Sequence, residues 1–297
     1  MAVFILPPEM LGFYKKNIEY ITEHAVDPDK RRYANKQEAP RHFLDSDRYG
    51  AQPFETIPRR WNDAVAKFTE DTLLAHGIVP WHIHAMIFRL TEAFKEENLD
   101  KILYLSADIG HYIADANVPL HTTKNYNGQL TDQVGIHAFW ESRLPELYAE
   151  NYDFFTGKAE YIKQPLDYAW NTVETSYAAK DSVLQFEAGL NKTFPPVRKY
   201  AFDKRGRKFV KVYSEEYSLA YHQLLDGMVE RRMRAAVKAV GSFWYTAWVN
   251  AGKPDLRKFY DKDISEELKI QLIEEELESK SETILKDSNS LFNEKCD

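Results

Sequence analysis

Cysteine is all but missing from this chain: there is one in 297 residues, Cys296, beside the C-terminus. A lone thiol excludes an intrachain disulfide and any thiolate metal site, so the fold must stand on its core. Long apolar runs are missing as well. None approaches the roughly 20 residues of a membrane-spanning helix. The opening Met1-Ala2-Val3-Phe4-Ile5-Leu6-Pro7-Pro8 is too short for a signal peptide and lacks its basic flank. Positive charge is in deficit, with 39 Lys and Arg against 46 Asp and Glu for a net charge of −7. That balance argues against broad affinity for nucleic acid, which requires Lys and Arg to displace counterions, and leaves room only for a local basic patch. Against these absences, 44% hydrophobic and 14% aromatic residues suffice for one large or two ordinary domains without covalent staples.

One stretch, His111 to Glu141, organises the rest. His111 and Asp115 stand four apart, as do His137 and Glu141, so on helices each pair shares a face with side chains about 5–6 Å apart. Pro119 ends the first helix, which frees His121 from helical phase and lets a third imidazole turn back toward the other ligands. Imidazoles and carboxylates without thiolate suit zinc in a catalytic rather than a closed structural site. The competing reading is a set of unrelated core and surface histidines. His82 and His84 do not join the set, because on a helix they point about 200° apart.

The segment resembles the zinc-dependent phospholipase C family of bacteria in His111, Tyr112, Asp115, Pro119, Leu120, His121, Asn125, Gly135, His137 and Glu141. The related single-strand nucleases and 3′-nucleotidases of fungi share the fold and metal cluster. They have a longer loop between the second and third histidines, end the last pair in Asp and carry disulfides, so the short loop and Glu141 place this chain nearer the phospholipase branch. The resemblance implies further ligands: Asp27, in Ala25-Val26-Asp27, and His42, in Arg41-His42-Phe43-Leu44-Asp45, with Asp29 the competing carboxylate. It sorts Asp27, His42, His111 and Asp115 around one metal and His121, His137 and Glu141 around a neighbour. It also makes Asp27 a candidate general base. The family's amino-terminal ligands to a third metal have no counterpart here, so two zinc ions are expected. The family is generally exported, which makes the start at Met1 read as clipped.

The implied activity is hydrolysis of a phospholipid phosphodiester by metal-activated water, with peripheral contact to a membrane surface. The alternatives are a nuclease or 3′-nucleotidase on the same cluster and a metal-binding module without turnover. The expected fold is all-α: a phospholipase C-like helical domain over 1–254, a small β-hairpin insertion, and a charged helical extension over 255–297. Periodicity places helices from Pro8 to about His24, Arg60 to Leu74, Pro80 to Asn98, from an Asp100 cap through Asp115, from Thr131 through Glu141, Pro165 to Leu190 and Ser214 to Asn250. Between Lys192 and Lys211, alternating Tyr200, Phe202, Phe209 and Val210 around an Asp203-to-Gly206 turn predict the hairpin. It is rich in Lys and Arg, Arg207 among them. In the extension, Ile270, Ile273, Leu277, Ile284 and Leu291 hint at a heptad seam broken by Lys280 and Asp287, which favours a helix lying on the domain over a coiled coil.

Overall fold

Two adjacent helices, Val79–Lys95 and Leu99–Ala116, form the centre of the molecule, and Pro165–Thr193 and Met228–Asn250 pack across them. The computed structural model describes residues 1–206 and 208–293, with side chains described through 281. Arg207, Cys296 and the side chains of Ile284, Asp287 and Leu291 lie outside the described residues. The protein is all-α, with a single two-stranded antiparallel hairpin among the described residues.

The helix that carries His111 and Asp115 owes its place to its apolar side. Ile102, Leu103, Ile109 and Ile113 are all but fully buried, and each such burial stabilises the fold by roughly 1.5–3 kcal/mol. Its cap is Asn98, whose side-chain oxygen accepts from Lys101 N at 3.0 Å. Asp100, the residue expected to cap, instead accepts from Ser265 N at 3.1 Å. Tyr14 stacks on Trp244 with ring centroids 4.6 Å apart and shares a hydrogen bond with Ser106, which joins the first helix to this core. A second cluster, including Leu120, Ile136, Phe139, Leu144, Tyr217 and Tyr221, forms around the chain that follows His121.

Several expected helices are divided. Pro8 to His24 breaks at Asn17, whose side-chain amide bonds Phe13 O at 2.9 Å and competes with the helical ladder. Ser214 to Asn250 becomes Glu215–Leu224 and Met228–Asn250, because Asp226 and Gly227 take φ of 46° and 70°. Asp27-Pro28 opens a helix, Asp27–Ala34, with proline in its first turn. The helix expected from Thr131 starts only at Ile136: Thr131 N and Gln133 N both bond Gly128 O, so those residues form turns. The chain then runs through a π-helical turn, Phe139–Arg143.

The hairpin pairs β1, Tyr200–Arg205, with β2, Lys208–Tyr213. Leu256 and Phe259 are buried in the central core beside Phe13. The final helix, Glu266–Asn293, lies along Asp27–Ala34. Glu275 bonds Arg31 and Tyr104 at 3.4 and 3.2 Å, and Ser279 donates to Lys30 O at 2.9 Å. No helix among the described residues is long and apolar enough to cross a membrane.

Candidate metal centre

Six of the seven side chains singled out from the sequence gather in two adjoining groups. In the first, His42 Nδ1 lies 3.1 Å from His111 Nε2, and Asp115 Oδ2 lies 2.8 and 3.2 Å from the two nitrogens. In the second, His121 Nε2 and His137 Nε2 are 3.2 Å apart, and Glu141 Oε2 is 3.5 and 2.8 Å from them. Asp115 stands between the groups, since its other oxygen comes within 4.0 Å of His121.

Backbone contacts explain why segments far apart in sequence converge. His121 Nδ1 donates to His42 O at 2.7 Å while Leu44 N donates to His121 O at 2.9 Å, a reciprocal lock between the two ligand segments. The His42 segment is held from behind by the turn at Gly77: Ile78 N bonds Pro40 O and Asp45 N bonds His76 O, both at 2.7 Å. Gly77 adopts φ of 89°, and a Cβ there would fall inside contact distance of Phe43 O, so only glycine fits.

The seventh residue, Asp27, is elsewhere. Its carboxylate is bonded to His24 Nδ1 at 2.6 Å and Lys30 Nζ at 2.7 Å. Burial would raise its pKa, but those two partners outweigh burial and lower it, which makes it a weaker proton acceptor. The structure brings Asp29 toward the first group instead, with Oδ1 3.8 Å from His42 and 4.0 Å from His111. Both acids lie in the first turn of Asp27–Ala34, and residues two apart on a helix face about 200° apart, so only one can face the histidines.

The donor chemistry fits zinc. His111, His121 and His137 each point Nδ1 at a backbone carbonyl, of Ala25, His42 and Tyr126, at 2.8, 2.7 and 3.2 Å. A carbonyl only accepts, so Nδ1 carries a hydrogen and Nε2 is the nitrogen turned inward, the one a metal would take in place of a proton. Nitrogens facing each other at 3.1–3.2 Å must share a proton or a cation to meet so closely. Each triad, Asp29–His42–His111 and His121–His137–Glu141, keeps its ligand atoms within 4.8 Å of one another. Electrostatics point the same way. Burial disfavours charge on His111 and His121, yet Asp115 overrides it and lifts them to about 9 and 10. Burial is likewise outweighed at Glu141, which His121 and His137 hold down at about 2. Asp115 falls far below the carboxylate range under the same imidazoles.

Glu38 went unnoticed in the sequence. It is 1% exposed, accepts from Tyr112 Oη and from Arg41 at 2.7 Å, and lies 3.7 Å from His42 Nε2, the nitrogen that points away from the metal pocket. Burial raises its pKa, but these partners outweigh burial and bring it to about 2. A readable signal existed, since Glu38 precedes His42 by four residues, the same interval as the two pairs already singled out.

A family model described as zinc dependent phospholipase C matches residues 2–204, a span that holds every side chain of both groups. No curated protein matches the chain.

Proposed function

The chain belongs to the zinc-dependent phospholipase C family, and on that premise we propose a phosphodiester hydrolase that splits a phospholipid between glycerol and phosphate. The observation that carries the proposal is the pair of adjoining nitrogen and oxygen triads with Asp115 between them. We assign Asp29, His42, His111 and Asp115 to one metal and His121, His137 and Glu141 to its neighbour. Zinc, when bound, lowers the pKa of water toward about 7 and neutralises phosphoryl charge.

The protein's own contribution is placement. Carbonyls of Ala25, His42 and Tyr126 fix three imidazole orientations by hydrogen bonds, and the Glu38 carboxylate lies 3.7 Å behind the fourth as a negative charge. Asp29, the least buried of the first group, is the carboxylate with solvent access and takes the proton that the attacking water sheds. Water adds to phosphorus as the bond to the glycerol oxygen breaks. That oxygen gains a proton and leaves as diacylglycerol, and the phosphorylated head group is the second product.

Elemental analysis of protein purified without chelator is expected to find about two zinc per chain; a value near zero removes the proposal. Parallel assays on a chromogenic phosphocholine ester, mixed phospholipid vesicles and denatured DNA test the substrate class. Preferential cleavage of DNA would move the assignment to the nuclease branch.

A further inference from the structure

We propose that the β1–β2 hairpin is a docking element for an anionic phospholipid bilayer, carrying two phenylalanines and two lysines on a single outward face. The inference deepens the proposed function and rests on it, since a lipid surface is the setting in which such a hydrolase meets its substrate.

The face follows from the register. Phe202 pairs with Lys211 and Lys204 with Phe209, and in an antiparallel ladder paired residues, with those two further along each strand, share a side. All four therefore project together, with the phenylalanines on one diagonal and the lysines on the other. Phe202 and Phe209 are 71% and 72% exposed, and both lysines are exposed. Two large apolar side chains so displayed on a short hairpin contribute nothing to the core. A lone two-stranded hairpin is also only marginally stable in water, so this one needs its anchorage.

The opposite face supplies that anchorage. Asp203 bonds Arg143 and Arg205 bonds Glu146, both at 2.8 Å. The root adds to it from the phenylalanine side of the ladder, where the Tyr213 ring turns into the core and stacks on Phe139 at 3.8 Å, and Arg143 Nε donates to Tyr213 O at 3.2 Å. Phe139 lies between His137 and Glu141 in the chain, so the hairpin is bolted to the turn that carries the second ligand group. The loop leading into His137 adds exposed Leu130 and Val134.

Charge selects the occupant. The chain is net −7, yet the exposed Lys204, Lys208 and Lys211 gather on this hairpin, complementary to an anionic headgroup layer. Lysines beside exposed phenylalanines make the composition of an interfacial element, with apolar groups entering the acyl boundary while ammonium groups meet phosphates. A nucleic-acid backbone would use the lysines but leave both phenylalanines in water unless bases stacked on them.

The test uses the full zinc-loaded chain in flotation with vesicles of phosphatidylcholine alone and of equimolar phosphatidylcholine and phosphatidylserine. The wild type should bind the mixed vesicles more tightly. Lys204→Ala/Lys211→Ala should weaken that binding by about thirtyfold, since a basic residue near an anionic surface contributes roughly fivefold. Phe202→Ser/Phe209→Ser should weaken binding to both vesicle types. All four positions face solvent, and hydrolysis of a soluble, monomeric phosphocholine ester should be unchanged in both variants, which shows that they fold. Wild-type protein that ignores vesicles, or variants that bind as well as it does, would overturn the docking role. So would a hairpin-dependent preference for single-stranded DNA in fluorescence anisotropy. A wild type that binds vesicles but hydrolyses neither substrate would uphold the docking surface while removing the enzymatic reading.

Discussion

Replacing Glu38 with glutamine keeps the shape and removes one buried charge, and the structure says what that should cost. The folded protein holds this carboxylate at about 2 against an ordinary value of 4.5. At about 1.4 kcal/mol per unit, this corresponds to a stabilisation of about 3 kcal/mol at neutral pH. Its sources are Tyr112, Arg41 and the imidazole of His42. Because the folded pKa is depressed, the contribution is complete above the unfolded value and is lost as pH falls from about 4.5 through about 2. Urea denaturation of metal-free wild type and Glu38→Gln should therefore differ by about 3 kcal/mol at pH 7, and the gap should narrow as pH falls from 5 to 3. The same substitution removes the negative charge 3.7 Å behind His42 Nε2, a charge that raises the basicity of that imidazole, so metal affinity should fall as well. Zinc competition against a chromogenic chelator should show that loss at one of two sites. Equal stability of the two proteins at pH 7, or a gap that persists undiminished at pH 3, would refute the reasoning.

Other perturbations separate the ligands from their neighbours. His121→Ala should abolish turnover and the second zinc while leaving helical circular dichroism intact; activity that survives would remove His121 from the centre. Asp29→Asn should weaken the first zinc and lower kcat, whereas Asp27→Asn, which disturbs only the His24 and Lys30 contacts, should leave zinc content near wild type; the reverse ordering would restore Asp27 as ligand. With His111 and His121 lifted to about 9 and 10, the metal-free protein holds both protons at pH 7, so zinc binding should release about two. Calorimetry in buffers of different ionisation enthalpy would count them, and affinity should rise with pH up to about 10. Gly77→Ala forces a side chain against Phe43 O in a positive-φ turn; it should destabilise the fold by more than about 1 kcal/mol and lower zinc affinity at the His42 site, and unchanged thermal melting would contradict this.

What the sequence made legible follows the range of each interaction. His111–Asp115 and His137–Glu141 are local intervals, and the second pair survives even though its helix is a π-helical turn, because the residues still meet at 2.8 Å. The choice between Asp27 and Asp29 depends on helical phase at a helix start. Asp-Pro-Asp allows either acid to face inward, so packing against the Leu99–Ala116 helix decides. Glu38 escaped because it sits in an irregular stretch with no period to flag it, although its interval to His42 was visible. Asp226-Gly227 is a turn dipeptide whose meaning was overridden by the apolar stripe running through it. The hairpin was legible from alternation, but its inner and outer faces became distinct only through Arg143 and Glu146, some 60 residues away.

The two ligand groups are not independent pockets that happen to adjoin. Asp115 offers one oxygen to His42 and His111 and turns the other toward His121. The backbone of His42 holds the His121 ring, while the backbone of His121 holds the strand-like exit from His42. Ordering the His42 segment therefore also sets His121 Nδ1–H in place, and ordering His121 would tighten the segment that presents His42. Each group lowers the ordering cost of the other, because both must fix the same few backbone atoms. Were each group to hold a zinc ion, the second would therefore meet ligands already ordered by the first, because the backbone atoms of His42 and His121 position both sets.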